Sequence, residues 1–268
     1  MKFPSLRSPV GRVKAADEQL TLTEHLAELR VRIIRAALAI AVGMLVIVIW
    51  YDPVLDLLRR PYTNLCKDNP KMAAATADCA LVSLGPLDAF GTRFRIAMWG
   101  GLVLALPVVM WQIWRFVVPA LHAKEKKYAV PFIVSAIAMF ALGGYLAYWT
   151  LEKALEFLVS WSGEDVTSTY QVSKYVSLVT LMVVMFGLGF QIPVLLVFLQ
   201  LVGVLKPRTL IRFWRYAIMI IFVVAAVITP SGDPISMLVL AVPLSILYFV
   251  AALVAWLIIR RRPASGGG

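Results

Sequence analysis

Six long, uncharged, strongly apolar runs, at residues 36–51, 96–114, 128–151, 175–205, 216–232 and 234–259, govern what this chain can fold into. A helix needs about 20 predominantly apolar residues to cross a hydrocarbon core. Lipid offers the backbone no hydrogen-bond partners, so each run must satisfy its own N–H and C=O groups as a helix. The expected fold is therefore an all-α polytopic membrane protein, one membrane domain over residues 1–268, with six transmembrane helices. With 61% hydrophobic and only 15% charged residues, a water-soluble core could not hide this much apolar surface.

Two runs need adjustment. The first becomes a full span when extended back to Val31, with Arg32 and Arg35 snorkelling to the interface. The fifth ends in Thr229-Pro230-Ser231-Gly232, which leaves about 15 helical residues and a reach of about 22 Å. It is too short for an average bilayer, and a tight turn through Asp233-Pro234 sends the chain straight back. The expected order is a basic tail (1–20), an amphipathic helix running into the first span (21–51), an external loop (52–92) and a second span (93–115). A cytoplasmic loop (116–128), a third span (129–150), an external loop (151–174) and a fourth span (175–202) follow. A cytoplasmic loop (203–214), spans at 215–229 and 235–259, and a cytoplasmic tail (260–268) complete it.

Six crossings put both termini on one side, and charge says which. The segments on that side hold 18 of the 26 Lys and Arg residues but five of the 15 acids. The positive-inside rule places both termini in the cytoplasm. The basic balance is thus an orientation signal, and no aromatic-interleaved basic groove speaks for nucleic acid. The N-terminal segment has no small-residue cleavage site, so no removable signal peptide is expected, and Ala264-Ser265-Gly266-Gly267-Gly268 reads as a flexible tail. Cys66 and Cys79 fall in the first external loop, where the compartment is oxidising, and are either a disulfide or two separate thiols.

No HExxH, GxSxG or phosphate-binding loop is present, and His25 and His122 lie in separate segments, so neither catalysis, a metal site nor a cofactor is expected. Two cytoplasmic carboxylates stand out. Thr21-Leu22-Thr23-Glu24 reads as a capping box opening a helix with Leu22, Leu26, Leu29 and Ile33 on one face, and Glu28 belongs to that helix. Glu125 is the one acid of Lys124-Glu125-Lys126-Lys127. The plain reading of Glu28 is an ion pair with Arg32 one turn on, and of Glu125, charge balance in a solvated basic loop. The sharper reading is that both carboxylates, on one membrane face, bind a pair of guanidinium groups bidentately. In the fourth run, Gln191 precedes Pro193 and needs an internal partner, for which an interhelical hydrogen bond suffices. Pro107, Pro131, Pro193 and Pro243 are expected to bend or end helices. The absence of an internal repeat weighs against a secondary transporter, and Gln191 stands nearly alone as a midplane polar group. A small transporter or channel nevertheless remains open at this level.

Several stretches resemble one family. His25-Leu26-Ala27-Glu28-Leu29-Arg30 is similar to the N-terminal HLxELR motif of TatC, the signal-peptide receptor of the twin-arginine translocase. Phe116-Val117-Val118-Pro119-Ala120-Leu121 and Glu125-Lys126-Lys127 resemble its FxxPAL and E(R/K)(R/K) loop. Pro61, Phe186-Gly187-Leu188-Gly189-Phe190-Gln191-Ile192-Pro193-Val194 and Thr229-Pro230-Ser231-Gly232-Asp233-Pro234 match further positions. The resemblance covers about residues 20–260 and implies a cup-shaped receptor in a bacterial cytoplasmic membrane whose last two helices are short. It implies that Glu28 and Glu125 contact the paired arginines of folded cargo's signal peptide, with Arg30, Lys126 and Lys127 in the same patch. It also implies single-span TatA and TatB-type partners, oligomeric assembly, and transport driven by the proton motive force without nucleotide. Gln191, where family members often carry Glu, would face the cavity near such a partner without being able to ionise. Pro61, Pro119, Pro193 and Asp233 would be structural, and Cys66 and Cys79 are not part of the general pattern.

Overall fold

The computed structural model describes residues 22–68, 79–117, 129–161, 170–201, 204–205, 207–230 and 232–260. Helix α1 (Leu22–Ile49) begins where the capping box predicts and runs without interruption into the first span. It is followed by α2 (Tyr51–Asp68), α3 (Pro86–Val117), α4 (Ala129–Trp161) and α5 (Val172–Gly189). The order closes with α6 (Gln191–Leu201), α7 (Pro207–Arg212), α8 (Trp214–Ile228) and α9 (Pro234–Arg260). α1, α3, α4, the consecutive pair α5–α6, and α9 are each long and apolar enough to cross a bilayer, and α8 is a shorter apolar helix of 15 residues.

One expectation needs correction. α8, where the fifth crossing is expected, is short, but the final helix is not: α9 runs for 27 residues. Nothing in 234–259 stops it, because Pro243 removes one backbone donor without introducing a charge or a turn. Pro107 and Pro243 lie inside continuous helices, Pro131 sits in the first turn of α4, and only Pro193 coincides with a break. Proline at 193 cannot donate to the Gly189 carbonyl four residues back. The helix accordingly ends at Gly189, passes Phe190, and restarts at Gln191.

Close helix crossings are made by small residues, as expected where lipid removes any hydrophobic drive for helices to meet. α1 and α3 run antiparallel, in contact at Gly43 and Gly101. A Cβ on Gly43 would lie 2.6 Å from the Gly101 carbonyl oxygen, and one on Gly101 would lie 2.5 Å from the Met44 nitrogen. The backbones leave no room for a side chain. Gly101→Leu is expected to force the helices apart and lower stability by about 1–3 kcal/mol, readable as a fall in the thermal unfolding midpoint in detergent. α4 and α5 approach equally closely at Gly143.

The segment between the first two spans, which reads in sequence only as a loop, carries α2, an 18-residue amphipathic helix with Pro61, Tyr62, Leu65 and Cys66 buried. Pro61 lacks the N–H that would bond the Leu57 carbonyl. That oxygen instead accepts from the Tyr148 hydroxyl of α4 at 2.8 Å, and the next carbonyl, Leu58, accepts from the Tyr175 hydroxyl of α5 at 2.9 Å. The proline thus frees a carbonyl with which the neighbouring helices hold α2 down. Tyr175 is buried, so Tyr175→Phe is expected to cost about 1 kcal/mol of thermal stability, and the half-exposed Tyr148→Phe less. Cys66 and Cys79 are bonded to each other, with Cα atoms 5.9 Å apart. Beyond Cys79, Val82 pairs with the start of α5 through Val82 N–H to the Tyr170 carbonyl (3.1 Å) and Val172 N–H to the Val82 carbonyl (3.0 Å). Asp88 in the first turn of α3 ties the same end together, accepting from Leu84 N–H (3.1 Å) and the Gln171 side-chain amide (2.5 Å).

Candidate functional site

Glu28 lies in the second turn of α1, at one end of the bundle. Antiparallel packing of α1 on α3 and of α4 on α5–α6 brings the last turn of α3, the first turn of α4 and the end of α6 to that same end. Three aromatic rings lock those helix ends: Trp114 of α3, Phe132 of α4 and Phe198 of α6. Their centroids lie 4.8 Å (Trp114–Phe132), 5.4 Å (Trp114–Phe198) and 5.2 Å (Phe132–Phe198) apart. Each ring is thereby wedged between the other two, within the range where aromatic pairs add to plain area burial. The aromatic wedge fixes Val117 and Ala129, the two chain ends that bracket residues 118–128. Pro119, Glu125, Lys126 and Lys127 belong to that segment and lie outside the described residues.

The Glu28 carboxylate is ion-paired with Arg32 one turn along α1, and the two side chains retain 29% and 12% of their exposure respectively. The plain reading of the sequence is therefore realised in this structure: Glu28 holds an internal guanidinium. Arg32 does not snorkel outward as expected: it pairs with Glu28 and keeps only 12% of its exposure. Arg30, two positions from Glu28, points away from it and is exposed, since residues i and i+2 do not share a helix face. The site thus has a carboxylate that demonstrably accepts a guanidinium, at the end of the bundle where residues 118–128 are anchored.

An apolar cavity of about 560 Å³ lies among α3, α4 and α5, with α1 and α2 at its edge and Trp99, Pro107, Phe140 and Thr180 in its wall. Thr180 spends its hydroxyl proton on its own helix, so the cavity presents almost no hydrogen-bonding capacity. It suits an extended apolar segment. Gln191 is not part of this wall: its side-chain amide donates to the Ala136 carbonyl of α4 at 2.8 Å, the interhelical bond expected of a lone amide in lipid.

At the opposite end, between α8 and α9, Asp233 is buried and caps α9, its carboxylate accepting from Ser236 N–H at 2.6 Å. Pro234 occupies the first helical position, where its missing N–H costs nothing. Gly232 supplies the left-handed residue of the turn (φ 64°). Among the described residues, no three His, Cys, Asp or Glu side chains come together in a way that could hold a metal ion.

Sequence reasoning did not single out the tyrosine clasps on α2, Asp88 or the aromatic wedge. Pro61 carried a signal for the first, because an internal helix proline always frees a carbonyl. The rings of the wedge come from three distant segments, and no local pattern announces them.

The family model for Sec-independent protein translocase protein (TatC) matches residues 24–243. A Sec-independent protein translocase protein TatC from Frankia casuarinae is 38% identical over 247 residues, spanning 91% of this chain and 68% of that protein. One from Xylanimonas cellulosilytica is 37% identical over 257 residues, spanning 94% of this chain and 89% of the relative. A crystal structure of the twin-arginine translocase receptor TatC in the detergent DDM superposes with a TM-score of 0.71 at 33% identity, covering 87% of this chain and 99% of that one.

Proposed function

Since this chain belongs to the TatC family of Sec-independent protein translocase proteins, and is a multi-pass membrane component of that translocation system, we propose that its Glu28 end receives the paired arginines of a signal peptide. The observation that carries the reading is the carboxylate of Glu28, already holding a guanidinium, at the end of the bundle where residues 118–128 begin and end. A second carboxylate, Glu125, in that segment completes a two-pronged acceptor. Planar guanidinium forks fit two carboxylates bidentately, whereas ammonium groups meet them as point charges, which favours Arg-Arg over Lys-Lys. Lys126 and Lys127 would disfavour additional positive charge beside the pair, whereas Arg30, on a different face of α1, would stand apart from it.

On this reading the Glu28 end faces the cytoplasm of a bacterial cell, as the distribution of 18 basic residues among 26 argues, and cargo approaches from there. The apolar part of the signal would enter the 560 Å³ cavity among α3, α4 and α5, whose wall offers contact area with few competing polar groups. Single-span TatA and TatB-type subunits would pack on lipid-facing helices, with assembly into an oligomer and export driven by the proton motive force. The test is binding of a fluorescent signal peptide to the full-length protein in nanodiscs, comparing Arg-Arg with Lys-Lys. A clear Arg-Arg preference is expected. Equal affinity for the two peptides would overturn the assignment of the Glu28 end as the recognition site.

A further inference from the structure

Arg32 occupies the carboxylate that the receptor reading assigns to the ligand, so the protein carries an internal competitor for its own site. The crossing at Gly43 and Gly101 fixes where Arg32 can go when displaced. Along α1, Arg32 stands 11 residues before Gly43, and along α3, Gln112 stands 11 residues after Gly101. Eleven residues are three turns of helix to within about 20°, so each lies on the same stripe as its glycine. Because the helices are antiparallel, equal steps carry both residues about 16 Å in the same direction. Arg32 and Gln112 are therefore placed at one level on mutually facing stripes, with Ala36 and Ala105 between them and the glycines. Their unused groups are complementary. The Nε–H of Arg32 is a buried donor without a hydrogen bond, and the side-chain carbonyl of Gln112 is a buried acceptor without one. Two such groups on facing stripes are costly to leave apart.

We propose that Gln112 is the second seat of the Arg32 guanidinium: when an incoming arginine takes Glu28, Arg32 turns to the Gln112 carbonyl, so that the Arg32–Gln112 pair sets the affinity and selectivity of the site. The inference rests on the receptor reading. It makes Arg32 a gate against weak cations, since a ligand gains Glu28 only by outcompeting a guanidinium. It makes Gln112 a positioning residue that acts through Arg32 and does not touch the ligand. An ammonium ligand forms single hydrogen bonds and displaces Arg32 poorly, whereas a guanidinium replaces it fork for fork.

The experiment is peptide binding to the full-length protein in nanodiscs, with Arg-Arg and Lys-Lys signal peptides, for Arg32→Gln, Gln112→Leu, Gln112→Glu and the Arg32→Gln/Gln112→Leu double variant. Arg32→Gln is expected to bind the Arg-Arg peptide roughly three- to tenfold more tightly, to gain proportionally more for Lys-Lys, and so to lose selectivity. Gln112→Leu is expected to weaken binding about threefold, and Gln112→Glu to tighten it by offering Arg32 a better seat. In the Arg32→Gln background, Gln112→Leu should have no effect, because its partner is gone. A merely structural role for Gln112 would give losses of the same sign for both substitutions. Should Arg32→Gln fail to fold, the opposite signs of Gln112→Leu and Gln112→Glu still decide. The proposal is overturned if Arg32→Gln weakens or leaves binding unchanged, or if the Gln112→Leu loss persists without Arg32. Glu28→Ala separates this from the receptor reading: unchanged Arg-Arg binding in that variant removes both, while a loss of binding together with a flat Arg32 series removes only the competitor.

Discussion

Replacing Glu28 and Glu125 together by Ala is expected to lower affinity for an Arg-Arg signal peptide about 100-fold, to erase its preference over Lys-Lys, and to stop export of a twin-arginine cargo in cells. Each carboxylate accepting a guanidinium contributes about 1.5–3 kcal/mol, roughly a tenfold change or more for each single substitution. The half-exposed setting of Glu28 argues for the lower part of that range, because water competes for both partners. Loss in the single variants need not add, since two prongs holding one pair of arginines are coupled. Glu28→Ala also releases Arg32, a cation left with 12% of its exposure and no carboxylate, so some of its effect will appear as lost stability. Glu28→Gln keeps the shape and separates the two contributions. Binding by fluorescence anisotropy alongside thermal unfolding of each variant reads both. Undiminished binding in the double variant, with the protein folded, would leave the two glutamates as ordinary surface charges.

Opening the Cys66–Cys79 bridge is expected to cost about 3 kcal/mol, a stability loss comparable to that of a large core truncation. The bond closes a separation of 13 residues, and in the chain-entropy picture its effect lies in what it denies the unfolded chain. Both sulfurs are buried, against α2 and the segment that pairs with the start of α5. Cys79 also adopts a left-handed backbone (φ 56°), which costs a non-glycine residue about 1 kcal/mol and relaxes once the bond is open, offsetting part of the loss. A Cys66→Ala/Cys79→Ala variant, or the wild type under reductant, should therefore unfold at a lower temperature, while Arg-Arg peptide binding at the far end stays unchanged below that temperature. An unchanged unfolding temperature would show that α2 is held by the tyrosine clasps from α4 and α5 alone.

Much of this protein is legible along the chain. The six apolar runs, the short fifth crossing, the turn at Asp233-Pro234 and the helix carrying Glu28 all follow from one-dimensional properties: a sum of hydropathy against bilayer thickness, a proline without a donor, a cap residue before a helix. These depend on solvent and on near neighbours, so sequence alone decides them. The motifs around Glu28 and Glu125 are equally visible and carry the family resemblance. The uninterrupted apolar run also marks the full length of α9, whereas the resemblance implies a short last helix.

What only the tertiary structure decided is which groups meet. Val82 pairs with Gln171, Tyr148 and Tyr175 reach carbonyls freed or exposed near Pro61, and Gln191 bonds Ala136. Each pairing joins segments far apart in the chain, and each depends on the rotation and vertical register of two helices. Those are fixed by where the backbones approach most closely, at glycines such as Gly43 and Gly101 whose significance lies in what they face. Hydropathy places a helix in the bilayer but is blind to its rotation against a neighbour, because lipid and apolar side chains are nearly equivalent partners. Packing of small residues and the demand of buried polar groups for partners settle that rotation, and with it the chemistry at the Glu28 end.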